Sequence, residues 1–458
     1  MGGFTHANSR FIGIEQQNVH SMDETSAYPA MILSKKFPMG PAVPVKIHSI
    51  QQYFKLYKDH CIMQTLYLKG VEVKKDAPDT YISRHKCAVA KNAILDNGRI
   101  VSADEVVISC TDQDFFIILK LYDIKQMKIE NAYCYRKHYL PKPIIEAVLL
   151  FYEMKTTLKG VIGEEETYMA YKAMLNSIYG MMVTDIVMDL LEYCGETHTW
   201  EKHKAKDVPG HTKKSIEHYN ESKNRVLFYP WGVWVTAYNR CAIWQAIFAL
   251  GQDYRYTDTD SVKYVNYEKH KEFFENYNKQ IVAEIDACLE YYGIDKEKSR
   301  PKNKKGKKCQ IGVFDYEGYY KRFKTLGAKR YIVLSNHNKE GKWRFEITIA
   351  GLGKKAGADY MKEFCREKRK KEKKKGEKSN FDVFDMFDNG MYIPAEKTGK
   401  MTHTYIDDKW EGYVTDYLGN TEYVIAKSGC HLCKTDFTLT MENAWVTYLM
   451  GVQKQEYA

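Results

Sequence analysis

The stretch Tyr256-Thr-Asp-Thr-Asp-Ser-Val-Lys-Tyr264 sets two carboxylates, Asp258 and Asp260, two positions apart in a run rich in Tyr, Thr and Val. Those residue types favour strands, so the stretch reads as strand–turn–strand, with both carboxylates on one face and Thr259 opposite. Two carboxylates that close repel each other, and a divalent cation relieves the repulsion. A site with few protein oxygens suits Mg²⁺, which keeps some waters and takes its other ligands from phosphate. The same residues also suit a polar hairpin tip, because Asp, Thr and Ser favour turns. By itself the stretch leaves both readings open.

Two more stretches bear on it. Met22-Asp-Glu-Thr-Ser-Ala-Tyr-Pro-Ala-Met31 follows a candidate strand at Val19–Met22, with Asp23 at the strand end and a turn at Tyr28-Pro29; alone, Asp23 is an N-cap candidate. In Tyr171-Lys-Ala-Met-Leu-Asn-Ser-Ile-Tyr-Gly180, Lys172, Asn176 and Tyr179 stand at i, i+4 and i+7 and share one helix face. A cation, an amide and an aromatic ring in a row suit a triphosphate, a sugar and a base. Gly180 then admits close approach to the backbone. Singly, these residues read as a surface Lys, a capping Asn and a core Tyr.

Together the three stretches resemble the polymerase motifs of family B DNA polymerases, in the family's order. Asp23–Pro29 is similar to D-x-x-S-x-Y-P, Lys172–Gly180 to K-x-x-x-N-S-x-Y-G, and Tyr256–Ser261 to Y-x-D-T-D-S. Lys329-Arg-Tyr331 resembles the family's K-x-Y primer-gripping motif. Gly2-Gly3-Phe4-Thr5 resembles the junction of exonuclease and polymerase parts in the terminal-protein-primed phage and plasmid branch. Asp23 and Lys172 are 149 residues apart, and Tyr179 and Asp258 are 79 apart, room for the branch's two insertions. Thr25 departs from the Asn frequent in the phage enzymes.

The resemblance implies a right-hand fold. Its parts are a palm at 1–49 and 230–350, a first insertion at 50–140, fingers at 141–180, a second insertion at 181–229, and a thumb with a C-terminal extension at 351–458. It implies templated addition of dNTPs to a DNA primer, with Asp23 and Asp260 holding two Mg²⁺ ions (Mn²⁺ as substitute) and Asp258 supporting them. Thr25, Ser26, Tyr28, Lys155, Lys172, Asn176 and Tyr179 would meet the nucleotide, with Lys159 near Lys155 and Tyr28 excluding a 2′-hydroxyl. Gly2, Gly3, Gly180, Thr259, Ser261, Lys329 and Tyr331 would meet primer and template. Only 22 residues precede Asp23, so the expectation is a polymerase without its own exonuclease, that activity being lost, truncated away or held by a separate subunit. Phage or mobile-element replication and a terminal-protein primer follow the branch. The rival readings are a polymerase using only nucleic-acid primers and a catalytically silent DNA-binding relative.

Composition sets the outer bounds. The 458 residues correspond to about three domains. A hydrophobic content of 44% with 28% charged residues marks a folded chain, and the net charge of +10 is compatible with a polyanionic partner. No apolar run reaches membrane-spanning length and the N-terminus lacks a signal pattern, which excludes membrane and secreted classes and leaves a cytoplasmic protein, in the host cell if viral. Eleven scattered cysteines form no disulfide framework and fit a reducing compartment. Cys430, His431 and Cys433 fall short of a zinc set and read as ordinary thiols.

Strand patterns occur at Val101–Cys110, Phe115–Leu121, Arg255–Val265 and Arg330–Leu334, and helical spacing at Pro143–Leu158, Glu165–Tyr179, Trp234–Leu250 and Lys269–Tyr292. Without a regular βαβ alternation, the class is α+β. The lysine-rich Lys296–Lys308 reads as a loop and Arg366–Lys378 as a charged helix or linker, each a solvated surface or a phosphate contact. Gly351-Leu-Gly353 fits no phosphate loop.

Overall fold

Antiparallel pairing organises the chain into two large sheets. The computed structural model describes residues 2–194, 199–222, 228–336, 341–374, 380–399, 401–415 and 418–441. The first elements are β1 (Thr5–Ala7), β2 (Gln16–Glu24), α1 (Ala27–Ser34), β3 (Phe37–Val45), α2 (Ile50–Asp59) and β4 (His60–Val73). Next come β5 (Cys87–Lys91), β6 (Ile94–Asp96), β7 (Arg99–Thr111), α3 (Asp112–Leu121), β8 (Tyr122–His138), α4 (Lys142–Leu158) and α5 (Glu165–Met182). A hairpin of β9 (Leu190–Cys194) and β10 (Thr199–His203) precedes α6 (His211–Glu221) and α7 (Tyr229–Leu250). Then follow β11 (Tyr254–Asp258), β12 (Ser261–Tyr264), α8 (Tyr267–Tyr291), β13 (Phe314–Gly327), β14 (Arg330–Ser335), β15 (Arg344–Ile349) and α9 (Lys354–Lys374).

The first sheet has the order β1-β11-β12-β2-β13-β14-β15, and the second β3-β8-β4-β7-β5, with β6 pairing β7. Strands and helices thus mix without βαβ units, as the α+β reading expects. One apolar cluster joins both sheets to α1, α3, α4, α5, α7 and α8. α1 and α7 are apolar nearly all round and buried along most of their length, which places them at the centre of that cluster. A separate core, with Leu326, Ile347, Met361, Phe384 and Phe387, lies under β14, β15 and α9.

Most local expectations hold, with informative exceptions. Phe115–Leu121 is helical and not a strand. The run Phe-Phe-Ile-Ile-Leu is too short to show a period, whereas Thr111 and Asp114 close a reciprocal capping box that starts α3. Asp23 is not an N-cap: it lies within β2, and Ser26 takes the cap position of α1. α7 starts at Tyr229, ahead of Trp234, because Pro230 suits the first turn of a helix. α5 runs through Gly180, which is helical, and a Cβ there would meet nothing within 4 Å. A 3₁₀ turn, Lys296–Ser299, occupies the start of the first lysine-rich stretch, and α9 takes up Arg366–Lys374 of the second. Residues 375–378, and the Cys430, His431 and Cys433 side chains, lie outside the described residues. The eight cysteines whose side chains are described are free thiols. Among the described residues, no helix is long and apolar enough to cross a membrane.

Candidate active site

Antiparallel register builds the site. Asp23 pairs with Ser261 on one side and Asp315 on the other; Ser261 pairs with Asp258, and Asp258 with Thr5. Residues directly opposite one another share a face. The row Asp315–Asp23–Ser261–Asp258–Thr5 therefore crosses five strands on one face. Asp260 holds no strand position. It sits in the two-residue turn after Asp258, where its carbonyl accepts the Glu24 N–H at 2.7 Å and brings the turn beside Asp23. The equal alternation expected of Asp258 and Asp260 is thus broken by the turn.

Backbone strain concentrates here. Eight described non-glycine residues have positive φ; five are Asn, which tolerates it, and the other three are Ser26, Thr259 and Lys329. All three belong to the motifs quoted above, and strained residues that the fold holds in place cluster at functional sites. Thr259 is held by its N–H to the Phe4 carbonyl at 2.9 Å and by Asn239 Nδ2 donating to its carbonyl at 2.7 Å. The Lys329 N–H donates to the Tyr256 hydroxyl at 2.9 Å. Tyr331 packs its ring 5.2 Å from Tyr256.

The electrostatics separate the aspartates. Burial, then the charges of Asp260 and Glu317, push the Asp23 carboxyl up to about 7. Burial, with Asp258 and Glu317 nearby, pushes Asp260 up to about 6. Asp258 is anchored differently: Thr5 Oγ1 donates to it at 2.8 Å, and Lys329 Nζ stands 3.6 Å away. A half-buried pair that resists ionisation is a donor set that a divalent cation satisfies, so Asp23 and Asp260 fit a metal role on their own chemistry.

The opposite wall is cationic and aromatic. Lys155 Nζ, from α4, donates to Ser26 Oγ at 2.7 Å. Burial and the neighbouring charges of Lys159 and Lys172 bring its ammonium down to about 8. Lys172 and Asn176 are exposed on α5, and the Tyr179 ring lies 4.7 Å from that of Tyr28. Burial, foremost, raises the Tyr28 phenol to about 12, so it is a neutral hydroxyl at ordinary pH. A Cβ on Gly3 would come within 2.7 Å of Thr259 Cγ2 and 2.9 Å of the Tyr28 hydroxyl, so only glycine lets the N-terminal segment pass between them. Gly2 contributes its carbonyl to Arg240 Nη1 at 2.8 Å. Thr25 donates through Oγ1 to Asp315 at 3.2 Å.

Sequence reasoning missed four contributors. Lys263 is buried behind the carboxylates, its Nζ 3.2 Å from Ser21 Oγ and 3.8 Å from Glu317. Glu317, solvent-exposed, reaches the site at a register shift in β13 between Tyr316 and Gly318, where Ser21 Oγ donates to it at 2.6 Å. Asp315 and Asn239 complete the set. A lysine inside the apolar run Ser-Val-Lys-Tyr-Val was the one available signal; the others have no diagnostic spacing.

The raised carboxyl gives a pH-dependent prediction. Unfolded Asp23 ionises near 3.8 and folded Asp23 near 7, so the metal-free fold loses stability as pH rises between those values. Asp23→Asn removes that loss. In chelator, the variant should exceed the wild type by about 1–2 kcal/mol at pH 8, with allowance for partial solvent screening, and by much less at pH 4. Thermal unfolding at the two pH values checks this, and an equal difference at both would refute the assignment.

The fold as a whole resembles that of solved DNA polymerase structures. Specifically, it is similar to Phi29 DNA polymerase in its orthorhombic crystal form, with a TM-score of 0.59 at 19% identity, covering 96% of this chain and 61% of that one. The Phi29 DNA polymerase complex with primer-template DNA and incoming nucleotide gives the same TM-score and coverages at 17% identity. This chain thus spans about three-fifths of the length of the polymerase it resembles. At these identities the likeness is one of fold. No protein-family model and no curated protein sequence matches the chain.

Proposed function

We propose that the chain is a DNA-directed DNA polymerase that adds dNTPs to the 3′-hydroxyl of a primer on a DNA template. One observation carries the reading: Asp23 and Asp260 are pressed together and reluctant to ionise, opposite a lysine and tyrosine wall, within a polymerase-like fold. Mg²⁺, or Mn²⁺ in its place, supplies Lewis acidity at the primer hydroxyl and the triphosphate when bound. Asp23 and Asp260 hold the metal, and Asp258 sets the position of the turn and balances Lys329.

Lys155 and Lys172 neutralise the triphosphate, and Ser26 and Thr25 place their hydroxyls and backbone along it. A lysine brought down to about 8 still carries its proton near neutrality and can pass it to a leaving group. Tyr179 and Asn176 pack at the nascent base pair. Lys329 and Tyr331 grip the primer terminus, with Gly2, Gly3, Gly180, Thr259 and Ser261 lining its path. In this reading β2, β11, β12 and β13 form the palm, α4 and α5 the fingers, and the region from α9 onward the thumb. A terminal-protein primer, phage or mobile-element replication and a cytoplasmic setting extend the proposal, supported by the Gly2–Thr5 segment that packs into the site.

The deciding experiment is extension of a 5′-labelled primer on a longer DNA template with Mg²⁺ and dNTPs. Template-directed extension supports the reading. Bound primer–template with no extension favours the silent scaffold.

Tyr28 supplies a second test. Its neutral ring, wedged between Tyr179 and Gly3, closes the space a ribose 2′-hydroxyl needs. Tyr28→Val should raise ribonucleotide incorporation relative to dNTP by about 10²-fold, the scale of a site that rejects an added hydroxyl. Unchanged discrimination in single-nucleotide kinetics would remove the steric role.

A further inference from the structure

The stretch Lys296–Lys308 carries seven lysines and one arginine against a single acid, Glu297. Part of that charge is neutralised locally: Lys296 pairs with Glu290 at 2.8 Å, Arg300 with Asp286 at 2.7 Å, and Lys308 with Glu297. Past the 3₁₀ turn the chain folds into a tight hairpin. Lys302 bridges to Lys308, and the Asn303 N–H donates to the Lys307 carbonyl at 2.9 Å. Asn303 Oδ1 accepts the N–H groups of Lys305 and Lys307 at 2.9 and 3.1 Å. Gly306 supplies the φ of 75° that the turn needs. Lys302, Lys305 and Lys307 are exposed, and among the described residues none of the three has an acidic partner. Three like charges held on one ordered turn raise a positive potential that attracts polyanions.

Three sets of contacts fix where that potential falls. At the base of the hairpin, Tyr152 Oη of α4 donates to the Cys309 carbonyl at 3.1 Å. Nearer the tip, Lys304 Nζ donates to the carbonyl of Gly160, the residue after Lys159 at the end of α4. Beyond the hairpin the chain pairs with Thr25: the Gly312 N–H donates to the Thr25 carbonyl at 2.8 Å, and the Thr25 N–H to the Val313 carbonyl at 2.9 Å. The hairpin is thus wedged between α4, which carries Lys155 to Ser26, and the segment that carries Ser26 itself. Lys159 stands one helical turn beyond Lys155, and the hairpin stands beyond Lys159, so cations line a path leading outward from the site. Glu164, Glu165 and Glu166, in the turn that follows Gly160, make no ion pair with the hairpin among the described residues.

We propose that the Lys302–Lys308 hairpin is an electrostatic guide for the polyphosphate of the incoming nucleotide, drawing it toward Lys155 and Lys172. The inference rests on the polymerase reading of the site. Placement selects polyphosphate over the primer–template backbone. The hairpin precedes the start of β13 and packs beside the nucleotide motif, whereas Lys329, assigned to the primer, follows the far end of the same strand. Lys302, Lys305 and Lys307 touch no reacting atom in this role. They act through their field, which reaches about 8–10 Å at moderate salt and raises the rate of encounter without altering the chemical step.

The test is the triple variant Lys302→Gln/Lys305→Gln/Lys307→Gln, which changes only exposed side chains and keeps Lys304 on Gly160. In single-turnover extension at low salt, kpol/Kd for a dNTP should fall about 10-fold, the lower end of what charge focusing supplies, with kpol unchanged. At 1 M salt, where the Debye length is about 3 Å, variant and wild type should coincide. Calorimetric titration of inorganic tripolyphosphate onto the DNA-free protein in chelator needs no extension, and the variant should bind it about 10-fold more weakly at low salt. A wild type that binds tripolyphosphate through the hairpin yet extends no primer supports the guide and fails the polymerase reading alone. Unchanged tripolyphosphate affinity together with unchanged kpol/Kd would overturn the guide. So would intact nucleotide kinetics with weakened primer–template binding and a salt slope reduced by about three, which assigns the lysines to DNA phosphates.

Discussion

Asp260→Ala is expected to lower primer extension by about 10³-fold or more while changing primer–template affinity only a few-fold. The scale follows from what Asp260 does in the proposed mechanism. It is one of two carboxylates that would hold the metal where charge develops, and removing it leaves Asp23 without its partner. Binding of the duplex depends instead on lysines and backbone spread over the surface, which the substitution leaves alone. Asp258→Ala should be milder, because that carboxylate is occupied by Thr5 and stands beside Lys329. Its loss should appear as a displaced turn. Single-turnover extension alongside fluorescence anisotropy of labelled DNA separates the two quantities. An Asp260→Ala protein extending within tenfold of wild type would end the two-carboxylate assignment.

The largest stability effect should come from Arg240. Its guanidinium is buried in α7 and grips Asp114 of α3 with two bonds, Nε to Oδ1 at 2.9 Å and Nη2 to Oδ2 at 3.0 Å. Tyr81 also donates to Asp114. Burial works against the Asp114 charge, yet Arg240, Tyr81 and Thr111 outweigh it and hold the carboxyl below its ordinary range. Arg240→Met leaves a buried, unpaired carboxylate and should cost about 3–5 kcal/mol. Replacing both partners with apolar residues should cost much less, because no charge is stranded. Urea unfolding of the single and double variants measures the difference, and equal losses in both would refute the pairing argument. Since Arg240 Nη1 also binds the Gly2 carbonyl, the single variant should loosen the segment that positions Gly3 against Tyr28.

These two effects differ in how legible they were beforehand. Asp260 stands in a short motif whose residue types suit cation chemistry as well as a hairpin tip, with the two companion motifs tipping the balance, and Lys172, Asn176 and Tyr179 were placed on one helix face by spacing alone. Arg240 and Asp114 are 126 positions apart, and nothing local marks either as half of a buried pair. Glu317 is similar: it reaches the site only at a bulge in β13. α3 was misread because five consecutive apolar residues carry no period, and its capping box was the decisive signal.

By itself, then, the sequence determined the chemical inventory, the order of the motifs and most of the helices, because residue type, spacing and capping act over a few positions. The tertiary structure decided which carboxylates face one another, why Asp23 resists ionisation while Asp258 is tied to Thr5 and Lys329, and where the lysine hairpin meets the end of α4. Register, burial and Coulomb interaction are properties of neighbours in space, and in this chain those neighbours lie from tens to hundreds of residues apart.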